Sequence, residues 1–226
     1  MNFKKALIYL YKQFENIVFP QCCLICGKLS EDIWCEKCKK EMLKEKKFII
    51  EENKQNKKCY FESHIYFFQY KDNIRKLILD YKFNDKSYLY KIFSEIITKN
   101  KKTYRILKKY DIITPVPIHR KRKKQRGYNQ SYLIAKEISI NINTLILENK
   151  ILKKTKNNIE QSSLKKEQRA QNVKNVYVLE KSEKIKNKNI VLFDDIYTTG
   201  NTVNEISRIL KENGANKILI LTIAKD

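Results

Sequence analysis

The chain has 226 residues, 42% of them hydrophobic, with 4 glycines and 3 prolines. That is enough apolar material for a packed core, so a wholly disordered, collagen-like or low-complexity chain is excluded. Lys and Arg number 48 against 25 Asp and Glu, a formal net charge of +23 that predicts attraction to nucleic acid, acidic membrane or phosphorylated ligands.

The sequence is rich in Lys, Ile and Asn together, a general bias, and evenly spread charge is only a solvated surface. The distribution is therefore more informative than the total. From Lys101 to Arg126 there are eleven bases and one acid, whereas from Ile190 to Asp226 there are four bases and five acids. The densest block is Arg120 to Arg126, RKRKKQR. No stretch approaches the roughly 18 uninterrupted apolar residues of a membrane-spanning helix.

In chain order, Phe3, Leu7, Tyr11, Phe14 and Val18 recur at helical spacing and predict an amphipathic helix that stops before Pro20. Lys4 and Lys5 precede a short apolar patch, but Lys12 and Glu15 break it off and no small-residue cleavage pattern precedes Cys22. The mixed polar face favours packing on the protein itself over membrane attachment.

Five of the six cysteines fall between Cys22 and Cys38. Cys23-x-x-Cys26-Gly27 and Cys35-x-x-Cys38 form two knuckles, and such turns bring thiolates together on one tetrahedral ion. Four thiolates close the shell, so Cys23, Cys26, Cys35 and Cys38 predict a structural Zn²⁺ site. Two close pairs favour metal over a disulfide framework. Cys22 could replace Cys23 at a looser spacing, and Cys59 stands alone. So short a region buries little core, and the metal would supply its folding energy.

Lys44 to Lys58 reads as a charged connection. Ser63 to Tyr70 is aromatic and predicts a strand. Ile74 to Tyr81 and Tyr88 to Ile97 predict helices separated by Asn84 and Asp85. Beyond them strand and helix alternate: strand 111–117, helix 131–140, strand 176–179, strand 189–193, helix 203–213 closed by Gly214, and strand 217–224. That alternation predicts a parallel sheet with helices on its faces and a ligand at the strands' carboxyl ends.

Residues 190 to 202 read IVLFDDIYTTGNT. An apolar run drives a strand into the core, and Asp194 and Asp195 emerge at its carboxyl edge. Two adjacent carboxylates can accept hydrogen bonds from vicinal sugar hydroxyls and can organise hydrated Mg²⁺. Thr198, Thr199, Gly200, Asn201 and Thr202 then lead into a helix, where backbone N–H groups, hydroxyls and the helix dipole favour a phosphate. A hydroxyl site beside a phosphate site describes a ribose 5-phosphate.

This segment resembles the 5-phosphoribosyl 1-pyrophosphate (PRPP) motif of type I phosphoribosyltransferases, departing at Tyr197, where that family usually has an aliphatic residue. Residues 115 to 135, PVPIHRKRKKQRGYNQSYLIA, and 161 to 172, QSSLKKEQRAQN, resemble stretches typical of the ComF family, as do the paired knuckles. The likeness covers most of the chain and is weakest over residues 40 to 62. It implies an N-terminal helix and a zinc-ribbon-like module with four cysteine ligands over residues 1–58. An α/β phosphoribosyltransferase-like domain with a parallel sheet would then occupy 59–226.

The resemblance also implies roles. His119 and Arg120 would meet pyrophosphate, although His119 could equally be a solvated loop residue. Arg126, Gly127, Tyr128, Asn129 and Gln130 could shape the pocket or face a partner, or could simply form a loop turn with Asn129 capping a helix. Residues 161–172 correspond to the mobile hood of related enzymes, with Arg169 as its closing cation. Asp194 and Asp195 would hold the ribose during displacement at the anomeric carbon, with Mg²⁺ on the pyrophosphate. Several family members act in natural competence, in the passage of single-stranded DNA into the cytoplasm. That implies a cytoplasmic protein, drawn to the inner face of the membrane by other DNA-uptake proteins.

Lys121, Arg122, Lys123, Lys124 and Arg126, with the interleaved tyrosines, are the candidate single-stranded DNA contacts. A pyrophosphate loop with solvated charge is the plainer reading of that block. The alternative function is an orthodox phosphoribosyltransferase of nucleotide metabolism. No acceptor signature is visible, and activity as an enzyme is left open.

Overall fold

The computed structural model describes residues 20–53, 59–156 and 176–226. The expected N-terminal helix and the 161–172 segment with Arg169 lie outside those residues. The chain divides into two compact units, residues 1–45 and 46–226.

In the first unit, the tight turn after Cys23 closes with the Gly27 N–H on the Cys23 carbonyl at 2.8 Å. Gly27 takes a φ of +75°, where a side chain would be strained. Helix α1, Glu36–Glu45, begins one residue after Cys35 and carries Cys38 inward, with the only tryptophan of the chain, Trp34, buried in the same unit.

The second unit is built on a seven-stranded sheet. Its strands are β1 (Ile49–Glu52), β2 (Ser63–Tyr66), β3 (Phe68–Gln69), β4 (Ile112–Pro115), β5 (Ile146–Leu147), β8 (Ile190–Tyr197) and β9 (Ile218–Lys225). The order is β1-β2-β9-β8-β4-β5, with β3 also on β9. All pairs are parallel except β1 with β2. A separate antiparallel pair joins β6 (Leu152–Lys154) to β7 (Tyr177–Leu179).

The helices are α2 (Asp72–Phe83), α3 (Tyr90–Thr98), α4 (Lys101–Leu107), α5 (Arg120–Arg126), α6 (Gln130–Asn141) and α7 (Asn201–Glu212). Val203, Ile206 and Leu210 recur on one face of α7 and pack with Ile190, Leu192, Ile218 and Ile220 of the two central strands. The alternate strand residues Val191, Phe193, Leu219 and Leu221 are also buried, so these strands are covered on both faces. Tyr81 of α2 is fully buried and its hydroxyl donates to the Gln130 carbonyl at 2.8 Å, which fixes the end of α2 against the start of α6.

Several sequence expectations shift. The 44–58 connection contains β1, whose pairing with β2 places it in the second compact unit, which begins at Lys46. The 63–70 strand breaks at Phe67, whose N–H reaches the Ile223 carbonyl between β2 and β3. The 189–193 strand continues through both acids to Tyr197, because β9 stays in register with it as far as Tyr197↔Lys225. The basic block is a helix: His119 caps its start and Gly127, at φ +76°, ends it. Asn129 caps α6 as expected, accepting from the Ser131 N–H. Gly214, at φ +91°, follows α7 as its stop.

Candidate functional site

β4 accompanies β8 only as far as Pro115↔Phe193, with one further bond from the Val116 N–H to the Phe193 carbonyl at 2.8 Å. Past that point the space beside β8 opens as a cleft of about 430 Å³ at the carboxyl end of the sheet. Asp194, Asp195, Thr198 and Thr202 line it, and so do Arg122 and Arg126 of α5. Three further cations, Arg75 and Lys82 of α2 and Lys154 of β6, complete a basic ring around the two acids.

Asp195 is only 8% exposed and is held by an ion pair from the Lys82 ammonium to its Oδ2. Its Oδ1 accepts from the Ile196 N–H at 3.0 Å. Burial works to raise its pKa, but the Lys82 charge and hydrogen bond outweigh burial and hold the carboxyl below the usual carboxylate range. Asp194 accepts from the Asp195 N–H at 2.9 Å and from the Ser131 hydroxyl at 3.2 Å. Burial first, and then the neighbouring Asp195 charge, push its pKa up to about 8. Burial and the Asp195 charge thus favour the protonated form of Asp194, while Lys82 favours the ionised form of Asp195.

The following loop is shaped by Tyr197. Its ring stacks on buried His64 at 4.3 Å between centroids. Its hydroxyl and ring lie where a Cβ on residue 200 would sit, and residue 200 has φ +76°, so only glycine fits for two reasons. Burial lowers the His64 pKa to about 3, so the stacking partner is neutral. Gly200 caps α7, and Thr198, Gly200 and Thr202 surround a small pocket of about 40 Å³ that also touches Asp194. The Thr199 hydroxyl is buried with no partner among the described residues, and Asn201 is the first residue of α7.

The remaining sequence candidates divide. His119 is half-buried and spends its Nδ1 on the Lys121 N–H at 3.2 Å as the cap of α5. Neither His119 nor Arg120 lines this cleft. The α5 turn begins at Arg120 and carries it to the opposite side, where Arg120 and Lys123 line a second groove. Lys121 and Lys124 are exposed.

Lys82, Arg75, Ser131, Tyr177 and Lys154 also belong to the site, and sequence reasoning missed them. The buried stripe Ile74, Leu77, Ile78 and Tyr81 places the flanking Lys82 near the core. Nothing in the order of residues singles it out from 48 Lys and Arg as the partner of an acid in a distant strand.

In the first unit the Sγ atoms of Cys23, Cys26, Cys35 and Cys38 all lie within 4.8 Å of one another. Cys26 and Cys35 are 3.8 Å apart, the roughly 3.8 Å separation that tetrahedral ligation at ~2.3 Å requires. The donor set and spacing fit a metal such as zinc. Cys22 is exposed and outside the cluster, its Sγ on the Pro20 carbonyl at 3.5 Å. Burial works to raise the Cys23 thiol, but backbone N–H groups of Cys26, Cys35 and Ile25 outweigh it and lower its pKa to about 6.

The two acids make opposite contributions to stability. The fold keeps the Asp194 proton where the unfolded chain has lost it, so stability from this group falls as pH rises from its ordinary 3.8 to about 8. Asp195 contributes above its ordinary value, and that contribution is lost as pH falls through its depressed value. Asp194→Asn keeps the acceptor oxygen without the titration. Its melting temperature is expected to exceed that of the native chain at about pH 8, with the gap closing toward about pH 4. Asp195→Asn is expected to be the less stable at neutral pH, with its deficit shrinking in acid. Melting curves that stay parallel across pH would contradict this assignment.

A family model described as phosphoribosyl transferase domain matches residues 129–226. Competence protein F of Haemophilus influenzae is 31% identical over 153 residues, which are 66% of this chain and 66% of that protein. DNA utilization protein YhgH of Escherichia coli K12 is 30% identical over 115 residues, 51% of this chain and 49% of that protein. Competence protein ComFC of Bacillus subtilis is 27% identical over 148 residues, 65% of this chain and 57% of that protein. The chain thus spans between about half and two thirds of the length of these relatives. With the acid pair and its loop at the end of a parallel sheet and four cysteines gathered in a separate small unit, the chain belongs to the ComF family.

Proposed function

We propose that this protein binds PRPP with Mg²⁺ in the acidic cleft and binds single-stranded DNA beside it, acting with other uptake proteins on the cytoplasmic side during natural competence. The observation that carries the ligand is convergence. The acid pair, the 198–202 loop and a ring of cations meet at one strand end. The competence half of the reading is supported by relatives named for competence and DNA utilization. Among the described residues no helix is long and apolar enough to cross a membrane.

The 5-phosphate goes to the 198–202 loop, where Thr198 and Thr202 line a small pocket at the head of α7 and the buried Thr199 hydroxyl has no partner among the described residues. Asp194 and Asp195 take the ribose hydroxyls. Arg122 and Arg126, which line the cleft, offer guanidinium forks to pyrophosphate. The oxygen donors of the acids, facing a basic cleft, suit Mg²⁺ shared with phosphate oxygens. When bound, Mg²⁺ supplies charge neutralisation at the pyrophosphate. In the first unit the four cysteines hold Zn²⁺.

An orthodox phosphoribosyltransferase of nucleotide metabolism is the second reading, favoured by a complete ribose-phosphate end with both acids retained. In that case pyrophosphate is released with one particular acceptor.

Calorimetric titration with PRPP and Mg²⁺ tests the ligand. Saturable binding is expected in the native chain, with at least a tenfold loss in Asp195→Asn, about 1.4 kcal/mol. Equal binding by the variant, or none by a folded native chain, would overturn the cleft assignment.

A metal assay tests the first unit. About one zinc per chain is expected, and Cys35→Ser should lose it. A metal-free protein with two disulfides would contradict the site.

A further inference from the structure

α5 stands between two cavities. At about 100° per residue, Arg122 and Arg126 share one face of the helix, and Arg120 and Lys123 share another. The first pair lines the acidic cleft. The second lines a groove of about 440 Å³ bounded by α5, α6 and β6, a volume within the ordinary range for small-ligand sites.

This groove differs from the cleft in chemistry. No carboxylate lines it among the described residues. Its cations are Arg120, Lys123, Lys153 and Lys154; Lys153 is paired with Glu180 at 2.7 Å, and neither Arg120 nor Lys123 has an ion-pair partner among the described residues. Its wall carries Tyr128 and Tyr132. Tyr128 is held in place by its hydroxyl, which donates to the Tyr81 carbonyl, and by its ring, 5.9 Å from that of Tyr81. Tyr132 is half-buried on α6, and its hydroxyl has no partner among the described residues. Pro117, Ile118 and Lys154 line both spaces, so the groove and the cleft run together past the end of β4.

Cations alone would suit any polyanion. Flat rings beside them suit a polyanion whose bases are unpaired, because a duplex keeps its base faces stacked and out of reach. We infer that this groove is the single-stranded DNA site: phosphates sit on Arg120 and Lys123, a base stacks on Tyr132, and the strand passes beside the sugar-phosphate cleft. The inference rests on the proposed DNA binding and specifies where it occurs. It divides the basic block by helix face. Arg122 and Arg126 serve the cleft, and Arg120 and Lys123 serve the strand.

The test is fluorescence polarisation of the full chain with a labelled oligothymidylate of about ten nucleotides, a length within the usual site size of such grooves. Lys123→Gln is expected to weaken binding and to reduce the slope of log affinity against log salt by about 0.7. Tyr132→Ala should lose about fivefold or more, whereas Tyr132→Phe, which keeps the ring, should bind like the native chain. With an abasic strand of equal length, Tyr132→Ala and the native chain should bind alike. PRPP titrations should be unchanged in Lys123→Gln.

If the native chain binds DNA and both Lys123→Gln and Tyr132→Ala bind it equally well, the groove is not the site although DNA binding stands. If the native chain binds PRPP but no DNA, the DNA half of the proposed function fails and the groove assignment fails with it. If thymidine monophosphate binds as tightly as the oligomer, the groove is a free-nucleotide site and the inference is overturned.

Discussion

Two adjacent carboxylates toward the carboxyl end of one strand, Asp195 buried and Asp194 half-buried, set the terms for everything around them. Burial opposes charge on both, and their proximity makes a second charge harder to hold than the first. The fold answers with Lys82 on Asp195, which favours that acid's ionised form, while burial and the Asp195 charge push the Asp194 pKa up. Holding Lys82 there requires α2 to lie over the strand end. The buried stripe of α2 and the Tyr81–Gln130 hydrogen bond keep it there. The same bond fixes the start of α6, from which Ser131 reaches Asp194. The acids, the helix that neutralises one of them and the helix that serves the other thus form one constraint.

Part of the basic excess lies at this site. Five cations line the cleft against two acids, so the cleft is cationic toward an incoming phosphate. α5 extends that character in two directions at once. Its seven residues are too few to bury a core face, and none of them is buried. They act as a charged partition, steadied at its ends by His119 and Gly127.

Much of this was legible in the residues, and the limits have physical causes. IVLF followed by DD and TTGNT gave the strand, the acids and the loop, because an apolar run, paired acids and small hydroxylated residues are each local signals. The two cysteine knuckles were legible for the same reason. Where the strand ends was not, since β9 continues the pairing past the acids and no local residue reports a neighbour's register. RKRKKQR looks like a loop in the sequence because a helix without an apolar stripe gives no periodic signal. β1 was hidden in a charged run, its strand made by pairing to β2 rather than by its own pattern. Tyr197, a departure from the family pattern, became intelligible only with its partners, His64 beneath the ring and Gly200 against the hydroxyl. Lys82 was invisible because its role depends on a contact between residues far apart in the chain.

The most direct test of the central claim is a crystal structure of the protein grown with PRPP and Mg²⁺. The 5-phosphate is expected at the 198–202 loop, the ribose hydroxyls on Asp194 and Asp195, and the pyrophosphate facing Arg122 and Arg126. A sugar phosphate bound elsewhere, with Lys82 still closed on Asp195 and the loop empty, would contradict the assignment of this cleft.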